Sequence, residues 1–130
     1  MDCPTEYQEQ VKIFEWSRLM VATNQEPRLR LLRAGMEGVR LSMGTRVKAK
    51  RAGMDSSFPD LFLPVPLFDP RILGLYHCCG LFLELKRLKG GVVSPDQKAM
   101  HQALRAQGYR VEVCRGADAA IKCISEYLGI

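Results

Sequence analysis

The sequence predicts an α/β fold, a small mixed β-sheet with helices on both faces. Three observations predict it. Thr5 with Gln8, and Ser94 with Pro95, are helix-start signals at the two ends of the chain. The runs "LFLELKR" at 81–87 and "YRVEVC" at 109–114 have the length and apolar alternation of strands. These helical and strand-like stretches interleave along the chain instead of segregating.

Taken in order, Thr5 and Gln8 form a capping-box pattern for a helix that runs to about Ala22. Tyr7, Val11 and Phe14 fall on one face of it and Glu6, Gln10 and Ile13 on an adjoining one, so an acid sits at the edge of an apolar stripe. At 28–34, Leu29 and Leu31 alternate with arginines, which reads as a strand or extended segment. Gly35 and Gly38 give a turn. Val39, Met43 and Val47 then recur every four residues among basic side chains, predicting a short helix to about Arg51 with a cationic outer face. Residues 60–65 and about 75–87 read as two strands joined by "PVPLFDPRILG", whose three prolines make a stiff hairpin connection. In the second strand Leu81, Leu83 and Leu85 point one way and Phe82, Glu84 and Lys86 the other. Glu84 and Lys86 therefore share a face, about 6.6 Å apart along the strand. Ser94 caps a helix ending near Gln107 at Gly108, "YRVEVC" follows as a strand, and 117–128 forms a closing helix.

A length of 130 residues implies one domain, and 47% hydrophobic with 25% charged residues excludes disorder as the general state. The net charge of +5 is not evenly spread. Segment 28–51 carries Arg28, Arg30, Arg33, Arg40, Arg46, Lys48, Lys50 and Arg51 against Glu37 alone, so it holds +7 and leaves −2 for the rest. Local basicity of this kind suits a surface facing a polyanion. Five cysteines without a CxxC pair indicate neither a disulfide framework nor a zinc knuckle. His77, Cys78 and Cys79 do not make a metal site either, because adjacent strand residues point to opposite faces. The acidic "MDCPTEYQEQ" start is no signal peptide, and no apolar run reaches the roughly 20 residues of a membrane helix. The expectation is a soluble, cytoplasmic protein in a reducing compartment.

The chemistry is concentrated in "FPDLFLP" at 58–64 and "LFLELKR" at 81–87. Asp60 begins one hairpin strand and Glu84 lies toward the end of its antiparallel partner, so pairing brings both carboxylates to the same end of one sheet face. Two carboxylates in reach of each other repel unless a cation lies between them. Mg²⁺ takes hard oxygen ligands and keeps waters for substrate phosphates, which two carboxylates and a backbone carbonyl permit. Lys86 beside that ion is suited to hold an attacking water and to offset charge developing on phosphorus. Singly, a PD or an ExK is common and would mean only a strand start or a solvated ion pair. Their order and spacing together point to a site.

These residues resemble the VRR-NUC (virus-type replication-repair nuclease) branch of the PD-(D/E)xK nucleases. "TEYQEQVKIFEW" is similar to that family's opening helix, "FPDLFLP" to its PD strand, "GLFLELKR" to its ExK strand, and residues 90–128 to its closing half. The resemblance implies a restriction-endonuclease-like core and a Mg²⁺-dependent DNA endonuclease, with Mn²⁺ able to substitute. It implies Asp60 and Glu84 as metal ligands, the backbone carbonyl of Leu85 joining them, and Lys86 as the catalytic lysine. Glu6, preferred to Glu9 one turn along, would complete the site through water. Gln97 would orient the lysine or the substrate. The local basicity, apart from the resemblance, assigns DNA binding to Arg40, Arg46, Lys48, Lys50 and Arg51. Stand-alone members of this type, phage or bacterial, resemble homodimeric Holliday-junction resolvases, so the implied substrate is branched DNA, a four-way junction above all. A flap or nicking nuclease of the same fold is the alternative, and a binding module that has lost catalysis is a third reading, which intact Asp60, Glu84 and Lys86 speak against.

Overall fold

The computed structural model describes residues 3–35, 43–68 and 76–130. Helix α1, Glu6–Ala22, starts where its cap demands: the Thr5 hydroxyl accepts from Gln8 N at 3.1 Å, and the Gln8 amide oxygen accepts from Thr5 N at 2.9 Å. Its buried row is Glu9, Ile13 and Ser17, four residues apart. The face of Tyr7, Val11 and Phe14 lies to the side, with Tyr7 64% exposed.

The segment expected to be extended at 28–34 is mostly a 3₁₀ helix, Pro27–Leu31, followed by a two-residue strand β1, Arg33–Ala34. Proline at the first helical position pre-sets φ, and the Glu26 side chain accepts from Arg28 N. The buried leucines are Leu29 and Leu32, three apart, while Leu31 is exposed. The operative period is thus that of a 3₁₀ turn and not of a strand.

Glu26 also takes two hydrogen bonds from the Arg28 guanidinium, whose Nη2 donates on to the Leu128 carbonyl at the far end of the chain. The Arg28 bond holds the Glu26 carboxyl below its usual range despite burial. A lowered carboxylate stabilises the fold above the unfolded value and loses that contribution as pH falls toward the folded one. Urea unfolding of wild type and Glu26→Gln should therefore differ most at pH 7 and converge toward pH 3. A constant difference across that range would count against the pair.

Helix α2, Met43–Arg51, lies within the predicted basic helix, and Val47 on it is half exposed. The main sheet has the order β1-β2-β5-β6, with β2 at Leu61–Leu63, β5 at Leu81–Lys86 and β6 at Arg110–Arg115. β1 and β2 are antiparallel, as are β2 and β5, whereas β5 and β6 run parallel. The stretch read as one strand from about 75 to 87 is two. Strand β4, Tyr76–Cys78, pairs with β3, Leu67–Phe68, in a separate ribbon, and the chain enters the main sheet only at Leu81. Gly80 marks the crossing: a Cβ there would lie 3.1 Å from the Phe62 ring and 3.2 Å from the Leu63 carbonyl.

Helix α3, Pro95–Ala106, has the Ser94–Gln97 capping box. Helix α4, Ala117–Leu128, closes the fold. Leu81, Leu83 and Leu85 join Ile13 of α1 and Ile124 of α4 in one core, so these two helices cover one sheet face. The opposite face, carrying Phe82, Glu84 and Lys86, meets α3. No helix among the described residues is long and apolar enough to cross a membrane.

Candidate active site

β2 and β5 pair with Leu61 opposite Leu83. One residue further along this register, Asp60 stands opposite Glu84. The ladder is closed there by a side chain: Asp60 Oδ2 accepts from Leu85 N at 2.7 Å. Asp60 is held on its other side by its own carbonyl, which accepts from Gly35 N at 3.0 Å. Gly116 N donates to the Lys86 carbonyl on the β6 side. Carbonyls alternate along a strand, so the Leu85 carbonyl is turned toward the β2 side, where Asp60 lies.

Every residue of β5 is buried, Glu84 at 2% exposure and Lys86 at 8% included. Buried charges require partners, and α3 supplies them. Lys86 Nζ donates to Gln97 Oε1 at 3.2 Å, an oxygen that also accepts from Ser94 N at 3.0 Å. Gln97 thus both caps α3 and holds the lysine. One turn on, His101 Nε2 lies 3.2 Å from Glu84 Oε1, and His101 is 2% exposed. Burial pushes this imidazole below its ordinary value, Arg105 and Lys86 add to the effect, and Asp60 opposes it. A neutral ring protonated on Nε2 donates a hydrogen bond to the carboxylate.

Glu6 and Glu9 separate clearly. Gly91 has φ +67, and a Cβ on it would lie 3.6 Å from Lys86 Cδ and 3.9 Å from Glu6 Oε1, so Glu6 and the lysine stem flank the same glycine. The turn carrying Gly91 is clamped by Arg115, which donates to the carbonyls of Arg87, Gly90 and Gly91. Glu9 instead is 3% exposed and accepts from Ala117 N, capping α4, which has no side-chain cap of its own. We expect Glu6→Gln to lose activity by about ten- to a hundredfold at unchanged stability. Glu9→Ala should instead lower unfolding free energy by about 1–3 kcal/mol. Equal activity losses with equal melting temperatures would refute the division.

The structure therefore brings Asp60, Glu84, Leu85, Lys86 and Gln97 together, with Glu6 at the margin. Arg46, Lys48, Lys50 and Arg51 are exposed on α2, and residues 52–59 connect that helix to Asp60. Arg40 lies outside the described residues. Sequence reading missed His101. Its signal was available, since it follows Gln97 by four residues and so shares that helix face.

Among the described residues no three His, Cys, Asp or Glu side chains group as a metal cage. His77 and Cys79 are exposed and Cys78 is buried, and all five cysteines are free thiols. Two carboxylates with a carbonyl are a hard-oxygen set of the kind Mg²⁺ shares with substrate and water, so the residues present fit such an ion.

Among the solved structures that match, a VRR_NUC domain protein superposes with a TM-score of 0.75 at 24% identity, over 99% of this chain and 92% of that one. That likeness carries the fold. Comparison with curated proteins gives no match. The VRR-NUC domain family matches residues 5–118, from the cap of α1 through the start of α4 and across every residue of the cluster. The chain belongs to the VRR-NUC domain family, nucleases of the PD-(D/E)xK type.

Proposed function

We propose that the protein is a Mg²⁺-dependent, structure-selective endonuclease of branched DNA, a Holliday-junction resolvase acting as a homodimer. The observation that carries the hydrolytic reading is the register of β2 on β5, which sets Asp60 opposite Glu84, with Leu85 N bonded to Asp60 and Lys86 two residues beyond Glu84. A divalent cation held by Asp60, Glu84 and the Leu85 carbonyl, Mg²⁺ or Mn²⁺, would supply Lewis acidity toward the phosphate oxygens. Lys86, steadied by Gln97, orients a water for in-line attack and offsets the charge that develops on the phosphoryl oxygens. The new bond is from water oxygen to phosphorus. The bond that breaks joins phosphorus to the 3′ oxygen, which leaves as a hydroxyl with the proton lost by the water, and the 5′ side keeps the phosphate.

Exposed cations on α2 set affinity and not chemistry. Replacing Arg46, Lys48, Lys50 and Arg51 with alanine should weaken binding to all DNA. It should also flatten the salt dependence by about 0.9 units of slope for each duplex phosphate that α2 no longer neutralises. An unchanged slope would make α2 a solvated face only. The dimer follows from need: the described residues of one chain form one such cluster, whereas resolving a junction takes two cuts on strands related by approximate two-fold symmetry.

The deciding assay compares a four-way junction, a flap, a duplex and a single strand in Mg²⁺, Mn²⁺ and EDTA, with sedimentation of the protein alone and on junction. Paired symmetric nicks on the junction by a dimer are expected. Cleavage in EDTA would remove the metal, and a monomer preferring flaps would replace resolvase by flap nuclease.

A further inference from the structure

An open groove of about 830 Å³ runs between α1 and the 3₁₀–β1 segment, and the catalytic cluster does not use it. Both of its walls begin at that cluster. On the helix, Tyr7 follows Glu6. On the opposite wall, Ala34 precedes Gly35, whose N–H donates to the Asp60 carbonyl. From there the groove follows α1 outward as far as Val21 and Ala22.

Its lining combines two chemistries. The floor is apolar, with Val11, Phe14, Leu29 and Leu32. The remaining side chains include Arg18, Arg30 and Arg33, and no acid lines the groove among the described residues. Arg18 lies 5.8 Å from the Phe14 ring centroid, and Tyr7 stands 64% exposed at the catalytic end.

We propose that this groove binds single-stranded DNA, a strand left unpaired where the branch point opens. The proposal rests on the nuclease reading and adds a ligand to it. Aromatic faces take stacked bases while arginines take phosphates, the combination by which proteins hold single strands without reading sequence. Duplex DNA fits it poorly, because its bases are stacked inside and the apolar floor would stay wet. A second copy of the chain docked groove to groove would set Arg18, Arg30 and Arg33 against their own counterparts, a like-charge arrangement that opposes association.

The test is fluorescence anisotropy of a labelled oligothymidine and of a blunt hairpin duplex in EDTA, over a salt series. Tyr7→Ala combined with Arg30→Ala should weaken oligothymidine binding by roughly tenfold or more and flatten its salt slope by about 0.7. Hairpin affinity should change less than about twofold, and Tyr7→Phe should keep the wild-type single-strand affinity because it keeps the π-face. Circular dichroism verifies that the variants, changed at exposed side chains, remain folded. The proposal is overturned if wild type does not bind oligothymidine, if the double variant loses nothing, or if both DNAs lose affinity equally. It is overturned too if the double variant turns a sedimenting dimer into a monomer, which would make the groove a subunit interface. Binding without metal separates this from the nuclease reading: a wild type that holds oligothymidine in this groove yet cuts no DNA in Mg²⁺ sinks the latter alone.

Discussion

Alanine at Glu84 is expected to lower DNA cleavage by about a thousandfold or more, and the same holds for Asp60→Ala and Lys86→Ala. The three side chains do different things, yet none has a substitute in the described structure. Asp60 is fixed by Leu85 N, which leaves its carboxylate aligned with Glu84 across the two strands. Lys86 is the cation that Gln97 holds on the α3 face of β5. Quenched-flow cleavage of the preferred DNA gives the rate, anisotropy gives the affinity, and thermal unfolding establishes that each variant folds. Binding within a few-fold of wild type with cleavage abolished is the expected pattern. Wild-type rates in Lys86→Ala would remove the lysine from the chemistry, and full activity of Glu84→Ala would remove the site.

The second large effect is expected at His101. In His101→Leu the buried Glu84 carboxylate loses the imidazole at 3.2 Å, a loss that costs about 1–3 kcal/mol of stability. It also loses a group that helps set its orientation, worth about ten- to a hundredfold in metal affinity or activity. His101→Gln keeps a donor on the same helix face and should recover part of both. Mn²⁺ titration followed by electron paramagnetic resonance without DNA reads the orientation effect apart from catalysis, and urea unfolding reads the stability. Unchanged Mn²⁺ affinity in the leucine variant would reduce His101 to packing.

Much of this was legible in the chain because its signals are local. The Thr5–Gln8 and Ser94–Gln97 caps announce their helices within four residues, and both are formed as read. The alternation in 81–86 assigned the leucines to one face and Phe82, Glu84 and Lys86 to the other, which the burial of Leu81, Leu83 and Leu85 in the core bears out. Errors arose where a local pattern fits two periods, or where a partner is remote. Leu29 and Leu31 imitate a strand, but Leu32 is the side chain that finds the core. The break at Gly80 comes where the chain passes closely by the Phe62 ring and Leu63 backbone, neighbours that no window of sequence around Gly80 contains. The sequence places His101 on the helix face of Gln97, but only the fold supplies its partner, Glu84, across the gap between helix and sheet.

The bond from Ala117 N to Glu9 joins the first helix to the last across most of the chain. During synthesis α1 precedes α4 and carries a carboxylate destined for burial long before the N–H that it accepts from exists. The parallel β5–β6 pair imposes a similar delay, because β6 comes after α3. The nascent protein therefore has few stable intermediate stopping points, and chains truncated before residue 117 should remain protease-sensitive even though they already contain every member of the proposed catalytic cluster.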